Sequence, residues 1–111
     1  MAKRILSHDT NQYLKQIRKK RGEDALKTFI RSKKISMGIQ ILRKGEDYGE
    51  PAHENSEVYF ALKGRAKLRI GKKIYNVSPG MAMYVPQRVS HKFYGVRNEF
   101  VFLFIFAGYD D

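Results

Sequence analysis

The apolar positions follow two periods along the chain. In "NQYLKQIRKKRG", Tyr13, Leu14 and Ile17 recur at helical spacing, a narrow stripe on an otherwise charged segment. Asp9 or Thr10 can cap this short helix and Gly22 can stop it. Beyond it the period falls to two. "ALKTFIR" reads as a short strand, and in "KISMGIQILRKG" Ile35, Met37, Ile39 and Ile41 alternate with smaller or polar residues. "EVYFALKG" is β-rich on both faces, as a strand buried on both sides would be. "RAKLRIGKKIYNV" predicts a hairpin turning at Gly71 and Lys72, with Arg65, Lys67 and Arg69 on one face and Ala66, Leu68 and Ile70 on the other. "SPGMAMYVP" predicts a turn and a strand, and "VSHKFYGV" and "NEFVFLFIFAG" supply the last two strands. Short strands punctuated by Gly and Pro predict an all-β sandwich or barrel with one N-terminal helix.

At 111 residues the chain suits one hydrophobic core. Residues 1–34, the helix and a lead-in strand, are therefore expected to share a domain with a barrel over residues 35–111. The absence of cysteine excludes disulfides and thiolate metal sites. "MAKRILSHDT" shows no apolar stretch of a secretory signal, and "FVFLFIFAG" is far shorter than the roughly 18 residues of a membrane helix. A cytoplasmic protein without membrane attachment is expected. The net charge of +11 is uneven, +8 over residues 1–34 and +3 over the remainder. Such a basic end can attract nucleic acid, anionic substrates or acidic partners. No nucleic-acid motif accompanies it, so any such binding is expected to be weak and non-specific.

Candidate chemistry rests on few residues, since the chain has three histidines. Gly45 is followed after five residues by Pro51, then His53 and Glu57, and six residues separate the glutamate from Gly64. Downstream, Gly80 is followed after five residues by Pro86, and His91 lies five positions beyond that proline. This pattern resembles the paired motifs of the cupin superfamily, G-x5-H-x-H-x3-4-E-x6-G and G-x5-P-x-G-x2-H-x3-N, joined by the short spacer of small single-domain members. The resemblance covers residues 35–106. It implies an antiparallel jelly-roll β-barrel whose interior holds a divalent transition metal (Fe, Mn, Ni or Zn) on His53, Glu57 and His91. Equal strand parity lets His53 and Glu57 face the same side, and two imidazoles with a carboxylate suit such metals. The same groups could instead form a hydrogen-bonded polar cluster without a metal. Three positions depart from the pattern: Pro51 replaces the usual first histidine, Arg88 a glycine and Gly95 an asparagine. A shifted register would make His53 the first histidine, with Asn55 in place of the second. Glu50 and Glu54 are near enough in sequence to substitute as ligands, although exposure is the commoner fate of such residues.

Tyr59 shares the parity of Glu57 and is expected to line the pocket, as is Phe93, which shares the parity of His91. Met81, Met83 and the C-terminal phenylalanines are expected in the core or a subunit interface, and His8 beside the helix start. No Ser-His-Asp arrangement can be assembled. Three functions fit. One is a metal-dependent protein acting on a small polar or anionic molecule, as an isomerase or oxygenase. The others are a non-catalytic ligand-binding module and a binder of nucleic acid or acidic partners through the basic surface. Two-faced apolar character in "NEFVFLFIFAG" and "EVYFALKG" further predicts a homodimer.

Overall fold

The helix α1 spans Thr10–Arg18, and the Asp9 carboxylate accepts the Asn11 backbone N–H at 2.9 Å, capping it as the sequence suggests. In the computed structural model, which describes residues 5–50 and 54–107 (Glu50 by its backbone), nine strands follow. They are β1 Leu26–Arg31, β2 Ser36–Arg43, β3 Tyr48–Glu50, β4 Glu57–Lys63, β5 Ala66–Ile70, β6 Lys73–Val77, β7 Ala82–Val85, β8 His91–Tyr94 and β9 Glu99–Phe106. Five form one sheet in the order β1-β2-β9-β4-β7, and four form a second in the order β3-β8-β5-β6. All pairings are antiparallel. The two sheets face each other across one core, the expected jelly-roll barrel.

Inside lies an aromatic cluster. Phe100, Phe102, Phe104 and Phe106 alternate along β9 and pack with Tyr59, Leu68, Met83, Val85 and Phe93. Facing them across β2 are Ser36, Gly38, Gln40 and Leu42, so this strand turns its smaller residues inward to make room for rings. Gly38 is the tightest case. A Cβ there would stand 2.1 Å from Phe104 Cζ and 2.6 Å from the Lys27 carbonyl oxygen. Ile39 and Ile41 point the other way, forming a second core with Ile17, Ala25 and Val101 beneath α1. Arg43 fastens the helix to β2: its guanidinium donates to the Arg18 and Lys20 carbonyls, each at 2.9 Å, satisfying groups the helix end leaves open. An Arg18–Glu99 ion pair adds a tie to β9.

Two strand expectations change. β3 is an additional short strand in "DYGE", too brief to carry a periodic signal. β4 is buried on one face only: Glu57, Tyr59 and Ala61 are interior, whereas Phe60 and Leu62 are 36% and 37% exposed. Its β-rich composition reflects an apolar outer face, and composition alone does not reveal what covers it. The hairpin of β5 and β6 turns where expected, with Ile70 paired to Lys73 across Gly71 and Lys72.

Candidate metal centre in the barrel

Glu57 opens β4 and His91 opens β8, strands that belong to opposite sheets. Glu57 is paired with Val85 and Phe106, and His91 with Ile70. Each therefore sits at a strand start with its side chain turned into the barrel, and each is only 1% exposed. His91 Nε2 lies 3.0 Å from Glu57 Oε1 and 3.1 Å from the Tyr59 hydroxyl. On the other side of the ring, Nδ1 is 3.1 Å from the Val89 carbonyl oxygen. A carbonyl only accepts, so Nδ1 carries a proton and donates it there. That bond fixes the ring orientation and leaves Nε2 as the nitrogen turned towards Glu57, the arrangement in which imidazoles are held for metal ligation.

The donor set fits a metal in chemistry and in spacing. Two donors each about 2.1 Å from one ion, at right angles, stand roughly 3.0 Å apart, and Nε2 and Oε1 are 3.0 Å apart. Among the described residues no third His, Asp or Glu completes a cluster. His53 and Pro51 lie outside the described residues. After them the chain bends at Glu54 and Asn55 before β4 begins. The Glu50 side chain likewise lies outside the description. Glu54 is exposed and accepts from Arg88 on both carboxylate oxygens, from Nε on Oε1 at 3.3 Å and from Nη2 on Oε2 at 3.1 Å, so it points away from the barrel.

The two remaining departures from the motif share one cause. Arg88 has φ 66° and Gly95 φ 62°, both in the left-handed region that Gly and Asn adopt most readily. Gly95 in place of asparagine keeps that conformation easily. Arg88 in place of glycine strains it, and the Glu54 carboxylate, by its hydrogen bond and then its charge, holds the Arg88 pKa above the ordinary value.

Tyr59 and Phe93 are both fully buried and pack edge to face, with ring centroids 4.9 Å apart. Phe93 also packs against Phe100 and Phe102 in the core. Tyr59 contacts His91 directly, a role that its shared parity with Glu57 hinted at. The Val89 carbonyl had no sequence signal, because backbone groups carry none. Met83 is core, Met81 is 36% exposed, and His8 bonds the Tyr13 hydroxyl at 2.7 Å within a cluster that includes Phe29.

Residues 38–106 match the family described as "Cupin domain". The chain is a cupin. A relative, an uncharacterized protein of Streptomyces coelicolor, is 33% identical over 79 residues, covering 71% of this cupin and 75% of the relative. Among solved structures, the Thermus thermophilus protein TT1209 superposes with a TM-score of 0.76 at 18% identity, over 92% of this cupin and 96% of that chain. An RmlC-like cupin from Shewanella frigidimarina gives 0.71 at 17% identity, over 78% and 77%. At such identities the two structures establish the shared fold and nothing more. No described helix of this cupin is long and apolar enough to cross a membrane.

Proposed function

We propose that this cupin holds one divalent transition metal on Glu57 and His91, with His53 as a third ligand, and binds a small polar or anionic molecule beside it. The observation that carries the reading is the fixed imidazole: Nδ1 is committed to Val89, and Nε2 meets a buried carboxylate at the spacing of neighbouring metal ligands. A bound Fe, Mn, Ni or Zn ion would supply Lewis acidity, or redox chemistry in the case of iron, for an isomerase or an oxygenase. Tyr59 would position the imidazole through its hydroxyl, and the packed rings of Tyr59, Phe93 and Phe102 exclude water and limit the ligand to a small one. That same packing also supports a second reading, a binding module without turnover, because little room remains for a substrate to rearrange. Elemental analysis of protein purified without a histidine tag or added metal tests the centre. One ion per chain, lost in a His53→Ala/His91→Ala variant, supports it, and full stoichiometry in that variant refutes it. Oxygen uptake and product formation from small carboxylates, phenols and sugar phosphates then separate enzyme from binding module.

The assembly we propose is a homodimer through the outer face of the five-stranded sheet. Helix α1 covers only part of that face, over Ile39, Ile41 and Val101. Beyond it, Met37, Ile105, Val58 and Tyr84 align in one row across four strands, with Leu103 and Phe60 paired in the next. Tyr84 is 61% exposed. A contiguous apolar patch of this kind marks an interaction site, and self-association would also shelter the edge strand β7. Light scattering at micromolar concentration should return twice the chain mass, and a monomer mass would refute the dimer.

A further inference from the structure

A second cavity lies at the open side of the barrel, sharing no lining residue with the Glu57–His91 centre. It encloses about 510 Å³, and its walls come from the turn at Gly22, from β1 and β2, and from the segment leading into β3. Three features give it a chemical character. Leu26, Leu42 and Tyr48 form an apolar floor. Glu23, Glu46 and Asp47 supply three carboxylates, in a chain whose net charge is +11. The third feature is Gln40, which lines the cavity while being only 3% exposed. Its side-chain amide has no hydrogen-bond partner within the protein among the described residues, so its donor and acceptor are left for whatever occupies the cavity.

The carboxylates are not all consumed by the protein. Asp47 is paired with Lys92 at 3.1 Å, and Glu46 accepts the Arg43 backbone N–H at 2.8 Å while retaining its charge. Glu23 has no ion pair among the described residues. The rim therefore keeps a negative surplus beside an apolar floor, and one buried amide offers both a donor and an acceptor. The volume falls within the range of small-molecule sites, roughly 300–1,000 Å³.

We propose that this cavity is a binding site for a small organic cation, an amine or amidine with an apolar body, which seats the body on Leu26, Leu42 and Tyr48 and is read by Gln40. The site is independent of the metal centre and has the opposite charge preference from the ligand proposed there, so either can fail without the other.

The test uses three molecules of one shape and different charge, benzylamine, benzyl alcohol and benzoate, titrated into chelator-treated full-length protein and followed by the backbone amide resonances of residues 22–26 and 40–49. Benzylamine should shift those resonances saturably, benzyl alcohol at least fivefold more weakly, and benzoate not at all. Glu23→Gln/Glu46→Gln should weaken benzylamine by a similar factor. Gln40→Glu adds a carboxylate at the cavity wall and should tighten it, while Gln40→Leu should weaken it. An absent or unsaturable response to benzylamine refutes the site, and so does equal binding of benzoate. An affinity for benzylamine that is the same in wild type and in both Gln40 variants, with folding verified by circular dichroism, refutes the role of Gln40 and with it the proposal.

Discussion

Loading the proposed centre should displace about one proton per metal ion. His91 Nδ1 is occupied by the Val89 carbonyl, so the contact of 3.0 Å between Nε2 and Glu57 Oε1 can be a hydrogen bond only if the pair holds a proton between them. Without it, two acceptors would face each other in a site closed to water. A metal ion takes the place of that proton, because both donors must be deprotonated to ligate. Proton and metal compete, so affinity should rise with pH, by about tenfold per unit while the pair still holds its proton. The measurement is isothermal titration calorimetry with Zn²⁺ or Mn²⁺ in two buffers of different ionisation enthalpy. The slope of apparent enthalpy against buffer enthalpy counts the protons. In Glu57→Gln the amide can donate to Nε2 without any exchangeable charge, so the count should fall towards zero as affinity drops. Metal binding in the wild type with identical enthalpies in the two buffers would refute the shared proton.

Other consequences follow from single residues. Gly38→Ala forces a methyl onto the Lys27 carbonyl and the Phe104 ring. An overpacking cost of about 1–3 kcal/mol should lower the melting temperature by roughly 5–15 °C, and an unchanged melting curve would contradict the contact. Arg88→Gly relieves the left-handed backbone, whereas Arg88→Ala keeps the strain and loses the Glu54 pair. The glycine variant should melt above the alanine variant, and the reverse order would refute the strain. Binding to single-stranded nucleic acid should be weak, indifferent to sequence and steeply salt-dependent. Lys67→Glu/Arg69→Glu should weaken it, because both residues lie on the outer face of the four-stranded sheet in a stretch, residues 58–98, with no acidic residue, while the basic end over residues 1–34 retains its charge of +8. Tight, sequence-selective binding at physiological salt in a filter or anisotropy titration would overturn this.

The strands with strict alternation were legible in the sequence, and so was the helix, because each has one buried face and a recognisable stop. β3 escaped because three residues cannot display a period. The role of β2 was only half visible. Ile39 and Ile41 advertise a core, yet theirs is the one beneath the helix, and the barrel side of the same strand is built from Ser36, Gly38 and Gln40 to admit phenylalanine rings from β9. Small residues give no outward sign of which neighbour requires them. At the candidate site, spacing brought Glu57 and His91 together correctly from opposite sheets, since each lies at a fixed offset from a turn. The partners of those groups, the Tyr59 hydroxyl and the Val89 carbonyl, depend on side-chain direction and backbone course. Neither is written in residue spacing.

The position of β9 has a consequence for how the chain acquires its structure. This strand lies between β2 and β4 in the five-stranded sheet and matches Ser36 to Phe106 in register. Contacts of such long sequence separation require a large loop to close before they stabilise anything, which slows folding. During synthesis β2 and β4 must wait for the segment 99–106 to leave the ribosome, while the β5–β6 hairpin can form at once. Until then β2 can pair only with β1 and β4 only with β7, and the two halves of the sheet have no strand to join them. The nascent chain should therefore depend on chaperones over that interval, and slowed translation between residues 63 and 99 should lower the yield of native protein.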